Sequence, residues 1–342
     1  MSRLHLELQR MWSGERGTSS LILATVTAPL AVLLGGAVRT RNLLYDMGIL
    51  PSSRAPIPVV SVGNLAVGGT GKTPISAWVA GVLRSAGLKP AILLRGYGED
   101  EILLHRRWNA DVPVLRAADR TRGVSTAAEQ GCDVVVLDDG FQHRRLRRDL
   151  DLLLLSPAHP VPVRLLPRGP FREPLAAIGR AHRILVTAKG THEMEAARAL
   201  AGQLREIPGA PPVELFAFLP GDWAALDGSP SAPQAGEPFV VASVAEPAGF
   251  VRLVAERIGG NPTRRLLFRD HHEFTRTDAT RISRAVGGGW MAVTEKDAVK
   301  LLPLREFLPE VRVLPLVPVP PSDLAGTILN EVLPHGTRAG AR

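Results

Sequence analysis

The feature that most constrains the fold is a glycine-rich loop between a predicted strand and a predicted helix. The β-branched run IPVVSVGN, residues 57–64, predicts the strand, and the helical spacing of ISAWVAGVLRSAG, residues 75–87, predicts the helix. The loop GNLAVGGTGKTP departs from the phosphate-loop pattern G-x-x-x-x-G-K-[ST], because Ala66 stands at its first glycine. Strand, loop and helix are the context that a phosphate loop requires. We therefore expect the loop to bind a nucleotide; the alternative is a glycine-rich turn that contains Lys-Thr by chance.

The residue types in this loop suit a polyphosphate. Backbone N–H groups surround phosphate oxygens at a helix N-terminus only where no side chain blocks the approach, which favours glycine. Lys72 would neutralise charge on the β- and γ-phosphates, and the Thr73 hydroxyl would ligate magnesium. Lysine is rare in the chain, at five residues, so Lys72 is not background. The predicted ATP-binding residues are Gly68, Gly69, Thr70, Gly71, Lys72 and Thr73.

A pair of aspartates supplies the second part of a nucleotide site. Asp138 and Asp139 follow the apolar run DVVVL, where a buried strand is predicted to end. Magnesium prefers hard oxygen ligands, and a strand-end carboxylate downstream of a phosphate loop is a common one. The alternative is a helix cap. We expect Asp138 to hold the ion directly or through water, with Asp139 beside it and the Thr73 hydroxyl as a further ligand.

The rest of the chain alternates strand and helix patterns. KPAILLRGYG, CDVVVLDDG, LDLLLLS and HRILVTAKG are apolar runs typical of strands buried on both faces. They predict an α/β fold, with a P-loop NTPase-like parallel sheet and helices on both faces. Prolines around Pro208 suggest a domain border. The predicted units are a membrane-associating segment at 1–45, a phosphate-loop domain at 46–207, a smaller α/β domain at 208–334 that closes over the cleft, and a disordered tail at 335–342.

Composition narrows the partners. The net charge is +8 and nearly all of the basic residues are arginines, which suits phosphorylated substrates, anionic lipid or nucleic acid. Aromatic residues are only 5% and no nucleic-acid-binding module is recognisable, so we expect no nucleic-acid partner. The single cysteine, Cys132, allows no intrachain disulfide, which favours a reducing compartment.

An uncharged apolar segment, LILATVTAPLAVLLGGAV at residues 21–38, precedes the phosphate loop. It reaches the length of about 18 residues at which a spanning helix becomes possible, but Pro29 and two glycines weaken that interpretation. A signal peptide would export a nucleotide-binding loop away from ATP. A helix packed on the protein itself is a further alternative. We prefer a helix that lies on or dips into the membrane surface.

Three classes of phosphate-loop protein compete for this pattern. GTP-hydrolysing switches need an N-K-x-D element, and TAKG and TEKD lack its spacing. Partitioning ATPases carry a second lysine before the paired glycines, where this chain has Val67. A kinase for a small or lipid acceptor needs only a base and an acceptor pocket. The kinase is the favoured class, and a membrane-associated partitioning or regulatory ATPase is the alternative.

Six motifs in order resemble one kinase family. VGNLAVGGTGKTP, RGYG, DDGFQH, LPRGPFREP, RDHHEF and VTEKDAVKL are similar to those of the tetraacyldisaccharide 4'-kinases of lipid A biosynthesis, over residues 28–301. The resemblance implies transfer of the ATP γ-phosphoryl group to the 4'-hydroxyl of a tetraacyldisaccharide 1-phosphate, with Mg²⁺. It also implies a peripheral or monotopic protein on the cytosolic face of the inner membrane, with an acylated disaccharide lipid as substrate and no obligate protein partner.

The resemblance implies a catalytic pair, Asp100 and His271. The family usually carries an insertion between R-G-Y and a G-D-E-P element that holds its aspartate, whereas here RGYGEDEI joins the two almost directly. Asp100 takes the aspartate's place and Ile102 that of the proline. The string RDHHEF also suggests a D-H-H phosphoesterase or a metal site, but the aspartate motifs that those enzymes need upstream are absent in the required order.

Five further residues are assigned to the substrate or to the support of the site. Asn64 ends the first strand, and the loop after Asp139 places Gln142 and His143 near the reacting phosphate. Arg172 and Glu173 in LPRGPFREP are expected to face the nucleotide cleft, although an internal ion pair would explain them equally well. The arginines after His143 are expected to face lipid phosphates or water.

Overall fold

The structure is a computed structural model that describes residues 8, 11–12, 17–96, 98–159 and 163–333. The predicted tail at 335–342 and most of the first 16 residues lie outside the described ranges. The described chain forms two α/β lobes preceded by a long helix, which confirms the predicted fold class.

Eight strands form the sheet of the first lobe, in the order β12-β7-β6-β5-β1-β4-β2-β3. All neighbours are parallel except β12 and β7, which are antiparallel. The strands are β1 Val59–Asn64, β2 Pro90–Leu94, β3 Val114–Arg116, β4 Val134–Asp138, β5 Leu150–Leu155, β6 Arg183–Lys189, β7 Val213–Pro220 and β12 Leu316–Val319. The inner strands are buried along their whole length, as their valine and leucine runs predict.

Helices cover this sheet on both faces. They are α2 Lys72–Ser85, α3 Glu99–Trp108, α4 Arg120–Glu129, α5 Met194–Arg205 and α9 Leu324–Val332, with short 3₁₀ turns at Leu175–Arg180 and Thr191–Glu193. The side chain of Asp119 caps α4 by accepting from the N–H groups of Thr121 and Arg122. One core cluster joins α2 and α9 to one face of the sheet, and another packs α5 on the opposite face.

Four parallel strands form the sheet of the second lobe, in the order β11-β10-β8-β9. These strands are β8 Phe239–Ala242, β9 Arg265–Leu267, β10 Trp290–Thr294 and β11 Glu310–Leu314. The helices are α6 Pro247–Ile258, α7 Arg276–Val286 and α8 Glu295–Leu301, followed by a 3₁₀ turn at Leu302–Phe307. Thr275 and Asp278 form a capping box at the start of α7, and Gly287 ends it in the left-handed region.

The structure divides the chain at a different point from the sequence border near Pro208. Strand β7 lies after that border but pairs with β6 in the first sheet, and β12 pairs with β7 on the way back. The helix α9 then adds Leu324, Ile328 and Val332 to the core of the first lobe. The second lobe is therefore an insertion between β7 and β12, and the described part of the chain returns to the first lobe.

Helix α1, Thr18–Asp46, holds the apolar segment. Its most apolar 18-residue window has a mean hydropathy of 2.2 and is 17% buried, so it is long and apolar enough to cross a membrane. At 29 residues it is about 43 Å long. Its large apolar side chains, among them Leu21, Val32 and Leu33, are exposed, which excludes the alternative of a helix packed over its length on the protein. This exposure fits peripheral membrane association.

Candidate active site

The phosphate loop lies between the carboxyl end of β1 and the N-terminus of α2. In the sheet β1 has β4 on one side and β5 on the other, so the loop stands where the strand order changes direction, the usual ligand position in open α/β sheets. Gly71 precedes α2 at φ 87°, and a Cβ there would lie 2.9 Å from the ring of Phe218. Asn64 donates from Nδ2 to the Thr70 hydroxyl at 2.8 Å, which ties the loop to the strand. Backbone N–H groups and the positive helix end make this loop an anion site.

Lys72 shares a carboxylate with an arginine. Its Nζ lies 3.9 Å from Asp139, and Arg172 Nη1 donates to both oxygens of the same carboxylate at 2.9 and 3.1 Å. Burial raises the pKa of Asp139, but the charges of Lys72 and Arg172 outweigh it and the net shift is downward. Asp139 is therefore ionised and its charge is compensated by two cations. Its backbone is in the left-handed region, at φ 61°.

Asp138 lies deeper, at the end of β4 beside β1. Its side chain is almost fully buried and is paired with His105 of α3, with 3.1 Å between Asp138 Oδ2 and Nε2 of the ring. The predicted magnesium ligands fit the ion by donor chemistry, because Thr73 in the first turn of α2 and Asp138 are hard oxygen ligands beside the phosphate loop. Within the described residues there is no group of three or more acidic, histidine or cysteine side chains that could hold a metal by themselves. Mg²⁺ commonly binds through one or two protein oxygens together with substrate phosphates and water.

The two lobes bring Asp100 and His271 together. Asp100 lies in the first turn of α3, and His271 lies in the second lobe, in the turn before α7. His271 Nδ1 is 3.0 Å from Asp100 Oδ2, so this nitrogen donates to the carboxylate. Gly98 precedes α3 at φ 81°, and a Cβ there would lie 2.4 Å from the Asp100 carboxylate and 3.1 Å from His271 Nδ1. A glycine is required for the pair to meet.

Lys296 completes the cluster and was not predicted from the sequence. From the start of α8 its Nζ lies 3.4 Å from Asp100 Oδ2, 3.1 Å from Asp270 Oδ1 and 3.2 Å from His271 Nε2. Burial raises the pKa of Asp100, but the hydrogen bond from His271 and the charge of Lys296 lower it to about 2. The hydrogen bond with Asp100 raises the pKa of His271. The pair therefore holds a fixed negative charge next to a histidine that gains a proton readily.

Three further predicted residues, Gln142, His143 and Glu173, lie near the site and have different surroundings. Gln142 donates from Nε2 to the Asn64 carbonyl at 2.8 Å, and its Oε1 accepts from Arg172 at 3.3 Å, so it supports the site. The pKa of His143 is lowered, first by burial and then by nearby arginines, which keeps it neutral. Glu173 is bound by Arg180 at 2.9 and 3.1 Å, so it forms an internal ion pair, the alternative that the sequence left open.

Two of the four arginines after His143 differ from the expectation that they face lipid or water. Arg144 donates to Asp46 at 2.6 Å and to the Asn42 carbonyl at 2.8 Å. Arg148 forms an ion pair with Asp151 at 2.8 Å. Both are consumed by contacts within the protein, and Arg145 and Arg147 remain exposed.

Lys189, at the end of β6, is a second lysine at the phosphate loop. Its Nζ donates to the Gly69 carbonyl. Burial lowers the pKa of Lys189, and the acidic side chains of Glu246 and Glu193 oppose that shift. The apolar run HRILVTAKG predicted the strand, but the contact depends on the adjacent ends of β6 and the loop, so sequence spacing gives no signal for it.

A phosphate loop at the switch point of the first sheet, together with a carboxylate–histidine pair contributed by both lobes, is the arrangement of a P-loop kinase. The profile of the family described as "Tetraacyldisaccharide-1-P 4'-kinase" matches residues 23–332. The chain belongs to this family.

Similar proteins and a solved structure support the same family assignment. A tetraacyldisaccharide 4'-kinase from Anaeromyxobacter dehalogenans is 38% identical over 328 residues, which cover 86% of each chain. One from Halorhodospira halophila is 36% identical over 298 residues, 81% of this chain and 84% of the relative. The crystal structure of LpxK from Aquifex aeolicus in complex with ATP matches with a TM-score of 0.72 and 28% identity, over 91% of this chain and all of that one.

Proposed function

We propose that the chain transfers the γ-phosphoryl group of ATP to the 4'-hydroxyl of a tetraacyldisaccharide 1-phosphate. The observation that supports the proposal is the contact of 3.0 Å between Asp100 and His271, one residue from each lobe, which together form a candidate base. A sugar hydroxyl must lose its proton as it attacks phosphorus, and a carboxylate paired with histidine can receive it.

The proposed reaction exchanges one phosphorus–oxygen bond for another. The acceptor oxygen bonds to the γ-phosphorus as the bond from that phosphorus to the β,γ-bridging oxygen breaks, and ADP leaves. The hydroxyl proton goes to the Asp100–His271 pair, which titrates as one unit because its members are directly hydrogen-bonded. Lys72 stabilises the negative charge on the β- and γ-phosphates. Arg172 and Gln142 hold the loop that carries Asp139.

Magnesium, bound with ATP, would neutralise charge on the β- and γ-phosphates. Thr73 and Asp138 are the residues that would hold it, directly or through water. Asp139 is already compensated by Arg172 and Lys72, so we assign it the positioning of Lys72 in preference to direct ligation. His105 orients the Asp138 carboxylate from α3.

The acylated substrate places the reaction at a membrane. The exposed apolar side chains of α1 provide a surface of the required kind next to the catalytic lobe. ATP is cytosolic, so we propose that the protein works on the cytosolic face of the inner membrane.

The test is an acceptor-dependent transfer assay. Purified protein is incubated with γ-labelled ATP, Mg²⁺ and tetraacyldisaccharide 1-phosphate in mixed micelles, and labelled lipid is separated by chromatography. We expect label in the lipid with wild-type protein. Lys72→Ala should reduce the rate by about 10³-fold, as for other phosphate clamps. The same variant serves as the control for contaminating kinases. Acceptor-independent release of labelled phosphate, without labelled lipid, would support the partitioning-type ATPase instead.

A further inference from the structure

The last two turns of the membrane-associating helix reach into the catalytic lobe. Arg41 Nη2 donates to the Gln142 carbonyl at 2.7 Å, and Asn42 Nδ2 donates to Glu173 Oε2 at 2.7 Å. In return, Arg144 donates to the Asn42 carbonyl. The guanidinium groups of Arg41 and Arg144 lie over the ring of Tyr45, at 5.4 and 5.1 Å. Charged hydrogen bonds of this length are among the stronger polar contacts in proteins.

Both segments that α1 holds lead directly to the phosphate site. Gln142, at the first contact, donates to the Asn64 carbonyl and accepts from Arg172. Glu173, at the second contact, follows Arg172 in the chain. Arg172 forms the ion pair with Asp139. Burial raises the pKa of Glu173, but its bonds to Arg180 and Asn42 lower it overall, so the residue is ionised where Asn42 meets it.

The competition for Asp139 links this network to ATP. Lys72 lies 3.9 Å from the Asp139 carboxylate, and Arg172 holds the same carboxylate at 2.9 Å. While Arg172 compensates Asp139, the carboxylate holds Lys72 only at 3.9 Å and positions its ammonium without withholding it from a phosphate. If the 140–143 and 171–173 segments shift, Arg172 releases Asp139 and the carboxylate then competes with ATP for Lys72.

We propose that Arg41 and Asn42 are positioning residues for ATP, through which the membrane-associating helix sets the geometry of the phosphate site. The proposal deepens the proposed function, because it assigns a second role to α1 beside membrane contact. It predicts that the loss of either contact raises the dissociation constant and the KM for MgATP more than it lowers kcat at saturating ATP.

The test compares Arg41→Ala with Arg39→Ala in the full chain. Arg39 lies on the same helix and is exposed, so both variants lose one positive charge from α1. Binding of a fluorescent MgATP analogue is measured by titration, and lipid association by sedimentation with vesicles. We expect the dissociation constant to rise about tenfold in Arg41→Ala, the scale of one lost charged hydrogen bond. Arg39→Ala should bind ATP like the wild type, and both should sediment equally.

A second series separates positioning from simple packing. Asn42→Ala removes the donor to Glu173, and Asn42→Asp keeps the shape but sets a carboxylate against the ionised Glu173. We expect Asp to weaken ATP binding more than Ala; a packing role predicts the reverse order. Arg41→Lys, which can still donate to the Gln142 carbonyl, should recover part of the affinity.

These experiments test the positioning role of Arg41 and Asn42 independently of the proposed lipid kinase activity. Unchanged ATP affinity in both Arg41→Ala and Asn42→Ala would overturn it, as would equal losses in Arg41→Ala and Arg39→Ala. ATP binding is read without any acceptor. A wild-type protein that binds ATP but labels no lipid would therefore contradict the proposed function and leave this comparison valid.

Discussion

Asp100 and Glu101 are adjacent in the chain, yet their carboxyl groups have opposite surroundings. Asp100 meets His271 and Lys296, and its pKa is lowered to about 2. Burial, followed by the negative charges of Asp138 and Asp100, raises the pKa of Glu101 to about 7. Near neutral pH the first carboxyl is fully ionised and the second is partly protonated.

This difference predicts a pH-dependent effect of Glu101→Gln on stability. Between the ordinary glutamate pKa of 4.5 and about 7, the folded protein holds a proton on Glu101 that the unfolded chain releases. Stability of the wild type therefore falls as pH rises through this window, whereas glutamine has no such proton. We expect the variant to match the wild type at pH 4.5 and to gain about 1 to 3 kcal/mol at pH 8. Urea unfolding in metal-free buffer at both pH values measures it.

The control for this prediction is the wild-type protein, in which only the Glu101 side chain differs from the variant. Asp100 is present in both proteins and its folded pKa lies well below pH 4.5, so its contribution cancels when the variant is compared with the wild type. A stability difference between variant and wild type that is independent of pH would contradict the raised pKa of Glu101.

The sequence predicted some residue contacts and missed others for a physical reason. The resemblance placed Asp100 and His271 as a pair despite the shortened segment before Asp100, and the structure brings them together; their catalytic role stays a prediction. Lys296 was missed because its approach to Asp100 depends on how the lobes pack, which no local spacing encodes. Glu173 was expected to face the nucleotide cleft, with an internal ion pair as the alternative, and only the tertiary structure shows its pairing with Arg180.

At the scale of elements, α1 consists of two parts. Its first two-thirds present exposed apolar side chains such as Ile22, Val26 and Leu30. Its last turns are polar and are held by Gln142, Glu173 and Arg144. The apolar run identified the first part in the sequence; the docking of the second part has no sequence signal, because single polar residues at a helix end are ordinarily solvated.

Removal of residues 1–38 tests this division. The truncated chain loses the apolar surface but keeps Arg41, Asn42 and Tyr45, so we expect it to lose vesicle association and to retain ATP binding. Vesicle sedimentation and nucleotide titration on the same preparation measure the two properties. Unchanged association would move the membrane contact elsewhere, with the exposed Arg145 and Arg147 as the first candidates.

The sequence predicted the individual strands better than it predicted which strands belong to the same sheet. Apolar runs identified the buried strands β1, β2, β4, β5 and β6 of the first sheet because each is hydrophobic along its length. The proline-rich segment near Pro208 suggested a domain border, but β7, which follows it, pairs with β6 in the first sheet. Prolines mark a turn, and the sheet that the next strand joins is decided by long-range pairing.

In the whole molecule, α3 is one of the elements that join the two lobes. Besides Asp100, it carries Trp108, which donates to Glu295 of α8 at 2.7 Å, and Arg107, which donates to the Leu226 carbonyl at 2.8 Å. Burial raises the pKa of Glu295 in this interface. The proposed base therefore exists only when the two lobes are in contact, and its two members come from positions 171 residues apart.

Asp100 and His271 are proposed to act as one proton-accepting unit across this interface. The most direct measurement is a double-mutant cycle on lipid phosphorylation with Asp100→Ala, His271→Ala and the double variant. We predict that each single variant lowers kcat by about 10²-fold or more, that ATP affinity changes little, and that the double variant is hardly slower than the slower single one. Fully additive losses, or near-normal turnover in Asp100→Ala, would contradict the claim.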